Sequence, residues 1–267
     1  MLARTASVRA RPDGVEAVRH SGGMQIIEVS DLGVRSAVLR LTRRDTPLTF
    51  EIYPMVHIGE PAFYAAVTER LRRCDLVVAE GVGGTRMPDG SRRRTRGTVA
   101  ASALTSSYRL PARFARAGLV LQNIPLATLG VPVSYPDMTD EQFSAGWREV
   151  PPWQRMLVTA GAPVAGLYQL AFGSRRALAR ELETTDEHWH DELMNIDSMD
   201  ELMALLGEKR DRLLIAELDD IHRRRGHEPV TVAVVYGAAH VAPVVYGMRA
   251  LHGYGLRGAG WLTVFDL

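Results

Sequence analysis

Three polar side chains in this sequence stand where predicted strands end, a position at which side chains can do chemistry. His240 follows the run VTVAVVYG, Glu80 follows DLVVA, and His57 follows the alternating segment LTFEIYP. Short β-branched runs are typical of strands that are buried on both faces of a parallel sheet. The carboxyl ends of such strands meet at one edge, where open α/β folds place their sites. We therefore expect these three side chains to lie close together.

Two further residues extend this set. Asp137 ends the short strand predicted in VPVSYPDM, so it repeats the position of Glu80. Arg210 lies on the apolar stripe of the helix predicted in MDELMALLGEKRDRLLIAELDDIHRRRG, together with Leu206 and Leu214. A guanidinium that faces the protein interior needs an acidic partner or a ligand. Both a structural ion pair and a functional role are consistent with Arg210.

These residue types allow two kinds of chemistry. Two imidazoles and one or two carboxylates are a normal ligand set for a divalent Mn, Co, Zn or Fe ion. The predicted metal ligands are His57, Glu80, Asp137 and His240. Such an ion would lower the pKa of a bound water, and Arg210 would stabilise the developing oxyanion. The predicted catalytic side chains are Glu80 and Arg210. Without a metal, the four predicted ligands could also act as general acid and base.

The elements that must position these residues form an α/β pattern. MQIIEVSD, RSAVLRLTRR and LTFEIYP predict an antiparallel meander that Pro54 should end. The helical segment EPAFYAAVTERLRRC between two strands predicts a βαβ unit, and Thr139 with Gln142 fits a capping box. The sequence therefore predicts a central mixed β-sheet flanked by helices, with an inserted helical region at about 139–225.

Composition limits the class of protein. The length of 267 residues suits a single domain at 24–267, preceded by a flexible basic arm at 1–23. The net charge of +1 gives no reason to expect a nucleic-acid partner, and the single Cys74 excludes a disulfide framework. The start of the chain has no apolar signal region, so a cytoplasmic location is expected. No dinucleotide or P-loop glycine motif and no G-x-S-x-G elbow is present.

Two segments have alternative interpretations. The Gly/Arg-rich stretch 83–97 is a solvated surface loop or a lid over the site, since it starts just after Glu80. The apolar stretch 156–173 is slightly short for a bilayer span and contains three helix-breaking residues. We expect it to be a buried helix or the contact of a homodimer, with membrane association as the alternative.

The sequence resembles the TraB/PrgY/GumN/TIKI family in VHIGEPAFYAAVTERLRRCDLVVAEGV, EKRDRLLIAEL and VVYGAAHV, which occur in the family's order. The family pattern is a GxxH motif, a strand ending in Glu, an arginine in an RD-containing helix and a second GxxH motif. Glu80 and Arg210 match the acid and the arginine, and Gly237 with His240 matches the second GxxH. His57 matches the first histidine.

The match departs from the family pattern at one position, where Pro54 stands in place of the first glycine. The resemblance implies a fold similar to that of erythromycin esterase and the haem-binding ChaN protein. TIKI proteins are described as metal-dependent proteases, and bacterial TraB-like proteins are linked to peptide pheromone shutdown. The resemblance thus implies a metal-dependent hydrolase of the peptidase kind, but it does not identify the substrate. The expected partner is a peptide or small-molecule substrate, with Gly237 and Gln122 as the predicted substrate-binding residues.

Two other classes of function stay open from the sequence. A non-catalytic protein could hold a peptide, haem or a metal in the same pocket without turnover. The missing first glycine and the absence of an H-E-x-x-H pair are consistent with such a binding protein. A membrane or oligomer scaffold would instead depend on residues 156–173.

Overall fold

The computed structural model describes residues 24–81, 118–157, 175–180, 182, 184–185 and 200–267. The predicted arm at 1–23, the loop at 83–97 and the apolar stretch beyond Leu157 lie outside the described residues. Across the described ranges, the protein has the α/β architecture predicted from the sequence, with a central mixed sheet flanked by helices.

One half of the sheet is antiparallel. Its main strands are β1 (Gln25–Ser30), β2 (Gly33–Arg43), β3 (Thr46–Met55) and the last strand, β10 (Gly255–Asp266). The first three form the predicted meander, and β10 pairs with β2 over nearly its whole length. Because a strand has only two edges, β1 and β3 must share the other edge of β2.

The other half of the sheet is parallel. It contains β5 (Leu76–Ala79), β7 (Val133–Ser134) and β9 (Thr231–Gly237), which join β3 in the order β7-β5-β9-β3. The central strand β9 is buried along its apolar run, as expected for a strand covered on both faces. Two short strands, β4 (Ile58–Gly59) and β6 (Val120–Leu121), pair separately. The strands β7, β5, β9 and β3 run parallel to one another, so their carboxyl ends lie at one edge of the sheet.

The prediction that Pro54 ends the ladder is wrong, because β3 stays paired with β9 as far as Met55. Thr49 donates its N–H to the carbonyl of Val230 on the β9 side. Since backbone groups alternate between the two edges of a strand, the Pro54 nitrogen faces the opposite edge, and no bond to β9 is lost. On that side the Pro54 carbonyl accepts a hydrogen bond from the Ser36 hydroxyl at 2.7 Å.

Six α-helices lie within the described residues: α1 (Pro61–Leu71), α2 (Asp140–Glu149), α3 (Arg175–Arg180), α4 (Asp200–Met203), α5 (Lys209–Arg225) and α6 (Val241–His252). The predicted capping box of α2 is confirmed, since Thr139 and Gln142 exchange side-chain and backbone hydrogen bonds. Among the helices described, none is both long enough and apolar enough to span a bilayer.

The helical stretch that carries Arg210 contains a π-helical turn. The sequence predicts a regular helix with Leu206 on its buried stripe, but a π-helical segment (Ala204–Glu208) separates α4 from α5. A π turn holds more residues than an α turn, so it rotates the preceding residues around the helix axis. As a result, Leu205 is buried and Leu206 only partly buried. Arg210 follows this turn directly, in the first turn of α5.

The predicted helical region at 139–225 also contributes to the sheet. Within it, β8 (Thr184–Thr185) pairs antiparallel with β1 and lies at the sheet edge. A two-residue strand has too little sequence pattern to be distinguished from the surrounding helices.

The helices α5 and α6 flank β9 in the chain and pack against each other. Because α5 leads into β9 and α6 leads out of it, both helices begin near the carboxyl edge of the parallel strands and end near the opposite edge. Gly247 of α6 permits their close approach, since a Cβ at this position would lie 2.7 Å from Cδ1 of Ile215. The two helices thus connect opposite edges of the sheet.

Candidate active site

The carboxyl ends of the four parallel strands bring most of the predicted site residues to one edge of the sheet. Asp137 follows β7, Glu80 follows β5, His240 follows β9 and His57 follows β3, in that spatial order. Arg210 reaches Asp137, Glu80 and His240 from the helical layer. These strands therefore end at one shared edge of the sheet, as the sequence predicts.

Arg210 is the centre of a buried group of ions. Its Nε donates to Oδ1 of Asp137 at 2.9 Å, and its Nη2 donates to Oδ2 at 2.7 Å. Nη2 also donates to Oε1 of Glu80 at 2.6 Å. The side chain of Arg210 is 10% exposed and that of Asp137 is 0% exposed. Hydrogen bonds between two ions are the strong kind, and the two-pronged pair fixes the plane of the guanidinium.

Backbone N–H groups hold the two carboxylates in place. Asp137 accepts from the N–H of Gly81 at 3.1 Å and from that of Met138 at 2.8 Å. Glu80 turns its second oxygen, Oε2, to the N–H of Gly237 at 2.9 Å. Gly237, which the sequence predicts to contact substrate, therefore also orients Glu80. Because backbone donors have no side-chain freedom, both carboxylates have fixed orientations.

The charges at this edge stabilise one another. Burial alone would raise the pKa of Glu80, but the positive charge of Arg210, followed by His240 and the Gly237 N–H, lowers it to about 2. Burial likewise opposes the charge of Arg210, but its bonds to Asp137 and the charge of Glu80 raise the pKa of the guanidinium above its usual value. Both groups therefore stay ionised at neutral pH.

His240 is held by a residue that the sequence analysis did not assign. Its Nδ1 lies 2.6 Å from Oδ1 of Asp211, and both residues are buried. A carboxylate only accepts, so Nδ1 carries a proton, and when the ring carries no second proton Nε2 is an acceptor. The ring of Tyr236 packs edge-on against the imidazole, with the centroids 5.7 Å apart. We name Arg210, Glu80, Asp137, Asp211 and His240 the Arg210 cluster.

A signal for Asp211 is present in the sequence. It follows Arg210 directly in EKRDRLL, within the RD pair of the family pattern. Adjacent residues on a helix point about 100° apart. A single turn can therefore direct Arg210 towards the carboxylates and Asp211 towards His240, but only the position of α5 shows that it does so.

One nitrogen of Arg210 makes only long contacts. Nη1 lies 3.4 Å from the carbonyl of Leu206 and 3.5 Å from Nε2 of His240. Both distances exceed the usual range of about 2.7–3.2 Å for such bonds. The weakly bonded part of the guanidinium is thus next to Nε2 of His240, the ring nitrogen that Asp211 does not hold. A hydrogen-bond donor and a base are adjacent there.

His57 and Gln122 lie together beside β4. The side chain of His57 is exposed, and its carbonyl accepts the N–H of Gln122 at 2.7 Å. Met55, two residues before His57, pairs with Gly237, three residues before His240. His57 and Gln122 therefore lie at the same sheet edge as His240. The roles of His57 as a metal ligand and of Gln122 as a substrate contact stay predictions.

The Arg210 cluster, as arranged, does not fit a metal ion. Oε1 of Glu80 and both oxygens of Asp137 accept from the guanidinium, and Nε2 of His240 also faces it. A divalent cation at this position would meet a like charge, so Arg210 takes the place that the predicted ion would need. In the described part of the chain, no three His, Cys, Asp or Glu side chains are grouped so that they could hold a metal.

Comparisons of the chain with models of protein families, with curated proteins and with solved structures give no match. The resemblance to the TraB/PrgY/GumN/TIKI family therefore stays a prediction from the sequence motifs.

Proposed function

We propose that the protein is a hydrolase that uses the Arg210 cluster for general acid–base catalysis on an amide or ester carbonyl. The observation that carries this proposal is the arrangement around His240. Its Nδ1 is held by Asp211 at 2.6 Å, and its Nε2 lies 3.5 Å from Nη1 of Arg210. A base oriented by a carboxylate and placed beside a cation suits a reaction in which negative charge develops on a substrate oxygen.

In the proposed reaction, Nε2 of His240 accepts a proton from water while the water oxygen attacks the carbonyl carbon. Nη1 of Arg210 stabilises the negative charge that moves to the carbonyl oxygen. The imidazolium then gives its proton to the leaving nitrogen or oxygen as that bond to carbon breaks. One water is consumed, and the products are an acid and an amine or alcohol. Asp211 keeps the ring oriented and stabilises the imidazolium.

Glu80 and Asp137 are positioning residues in this proposal. They fix the guanidinium through Nε and Nη2, which leaves Nη1 as the nitrogen that faces His240. A preorganised donor needs no reorganisation when charge develops, and this is the main contribution of such groups to catalysis. The sequence predicts a direct catalytic role for Glu80, whereas this geometry supports an indirect one.

We thus propose the hydrolase activity expected from the sequence, but with Arg210 instead of a metal ion as the positive charge that stabilises the oxyanion. A second candidate is the binding protein that was also expected from the sequence. It does not require a reacting group to reach Arg210 and His240, which are only 9% and 8% exposed and lie in an internally bonded cluster. Such burial is also found in purely structural ion networks.

Turnover of a panel of fluorogenic peptides and small esters tests the proposal. The wild-type protein should hydrolyse at least one class, and its rate should be unchanged after chelation with EDTA. His240→Gln should lower the rate by about 10²–10⁴-fold, because it removes the base. Arg212→Gln is the matched control, since Arg212 is on the same helix and its side chain is 74% exposed. This variant should keep the wild-type rate.

Other outcomes separate the alternatives. Turnover that requires added Mn, Co or Zn would support the metal-dependent hydrolase instead. Tight binding of a peptide or haem without turnover, lost in His240→Gln, would support the binding protein. Turnover that persists in His240→Gln would contradict the proposed role of the Arg210 cluster.

A further inference from the structure

The ends of α5 and α6 that are remote from the Arg210 cluster meet through a pair of histidines. His222 lies in the last turn of α5, and His252 is the last residue of α6. Their rings are 3.9 Å apart between centroids, with an angle of 37° between the planes. Because both helices begin at the Arg210 cluster, the same two helices are joined by side chains at both ends.

Each histidine has a partner that fixes its ring. Nε2 of His252 lies 2.7 Å from Oδ1 of Asp219, one turn before His222 on α5. Nδ1 of His222 lies 3.0 Å from the hydroxyl of Tyr254, which also bonds to Thr46. Thr46 in turn donates to the carbonyl of Gly226, just after α5. A neutral His222 with its proton on Nδ1 completes this chain, so a second proton on Nε2 adds no bond to it.

Both signs of charge surround the pair. The titratable and charged groups that face His222 come from α5, α6, the end of β2 and the residue just before the last strand. They are Asp219, Arg223, His252, Arg43 and Tyr254. Asp219 favours a positive ring, whereas the arginines and a charged His252 oppose it. Asp219 is shared, because it also pairs with Arg223 at 2.5 Å.

We propose that His222 and His252 form a proton-sensitive clamp that holds α5 and α6 together when at most one of the two rings is charged. At 3.9 Å, two positive rings would repel each other directly. Asp219 is already bonded to His252 and Arg223, so it offsets only part of the charge of a second imidazolium. Acid should therefore weaken the clamp. The clamp does not depend on the proposed hydrolase activity.

The direction of the effect follows from His222. Burial, then the neighbouring His252 and Arg43, lower the pKa of His222 below its ordinary value. Below the ordinary pKa of histidine, about 6.5, the unfolded chain therefore binds more protons than the folded one. The stabilisation by the clamp is fully present above that pH. It is lost as the pH falls through this value towards the lower pKa of the folded state.

Thermal unfolding of the full chain between about pH 7.5 and about pH 5 tests this inference. The melting temperature of the wild type should fall by roughly 2–4 °C more over this range than that of His222→Gln, whose amide cannot titrate. His252→Gln should flatten the profile in the same way and serves as the second variant if the first fails to fold. His227→Gln, at an exposed histidine just after α5, is the control and should keep the wild-type profile.

An NMR titration of the histidine ring protons in the wild type supplies an independent measurement. The clamp predicts that His222 titrates below the ordinary range and that its signal also shifts as His252 titrates. Two independent, ordinary titration curves would overturn the proposal. Equal pH profiles of melting temperature for the wild type and both glutamine variants would overturn it as well.

Discussion

The two ends of the α5–α6 pair are held by different chemistry. At one end, the Arg210 cluster contains a guanidinium and three carboxylates, and the side chain of Asp137 is 0% exposed. At the other end, the His222–His252 clamp contains two rings in contact at a tilted angle and a buried tyrosine, with Asp219 at its margin. The first end depends on full charges, and the second depends on rings of which at least one is neutral.

This difference indicates which end tolerates change. Ions that are buried together must keep all their partners, because a buried charge that has lost its partner is poorly solvated and strongly destabilises the fold. Rings near the surface can exchange a lost partner for water. The end with the candidate chemistry should therefore be the rigid end, and the clamp the adjustable one. Four changes to the chain test this difference, from the largest expected effect to the smallest.

Removal of the guanidinium should have the largest effect on stability. Arg210→Met leaves Glu80 and Asp137 without their cation, so the free energy of unfolding should fall by about 3–5 kcal/mol. Arg212→Met is the matched control, since Arg212 pairs with Glu208 at side-chain exposures of 74% and 66%. That control should change stability by less than about 1 kcal/mol. Urea denaturation of both variants measures the difference, and equal losses would contradict the contrast between the ends.

Acid should weaken the same end through Glu80. The pKa of Glu80 is about 2 in the folded protein and about 4.3 in an unfolded chain. Its contribution of about 3 kcal/mol is present above the unfolded value and is lost as the pH falls towards the folded one. In urea denaturation, the wild type should be more stable than Glu80→Gln at neutral pH, and the gap should narrow below about pH 4. A gap that is constant with pH would contradict this assignment.

Asp211→Asn should have an intermediate effect. The change keeps the shape of the side chain but removes the charge that orients His240, so stability should fall by about 1–3 kcal/mol. Any hydrolase activity should fall by about 10²–10⁴-fold. Asp220→Asn is the control on the same helix, because Asp220 pairs with Arg224 at side-chain exposures of 54% and 63%. Hydrolase activity that is unchanged in Asp211→Asn would contradict the acid–base role proposed for His240.

Tyr254→Phe should have the smallest effect. It keeps the edge-on contact with Phe50, whose ring centroid is 5.1 Å away, and removes only the hydroxyl that bonds to His222. One lost hydrogen bond at a partly buried position should lower the free energy of unfolding by about 0.5–1.5 kcal/mol. A loss as large as that of Arg210→Met, measured in the same urea series, would show that both ends are equally rigid.

The sequence predicts the shared sheet edge because that prediction needs only local pattern. Apolar runs that end at Glu80 and at Gly237 identify buried parallel strands, and the chirality of their connections puts the ends together. The interior position of Arg210 likewise follows from helical spacing. The fold class follows in the same way from the order of strands and helices.

Other features depend on tertiary contacts that have no local pattern. That Arg210 binds both Glu80 and Asp137 depends on the strand order β7-β5-β9, which places the two acids at the ends of neighbouring strands, β5 and β7. The bond between Asp211 and His240 depends on how α5 is rotated, and the π turn that precedes it has no clear sequence signal. Pro54 is tolerated within β3 only because its nitrogen faces away from β9.

The bonds of the Arg210 cluster also determine when the site can form as the chain folds. They join residues that are 73 positions apart for Arg210 and Asp137, 130 for Arg210 and Glu80, and 157 for Glu80 and Gly237. Contacts between such distant residues carry a large loop-closure entropy and tend to form late. A nascent chain that has not yet supplied β9 lacks both Gly237 and His240. The chemistry proposed for this protein should therefore be absent from any nascent chain that ends before His240, and it should begin only when the central strand is inserted.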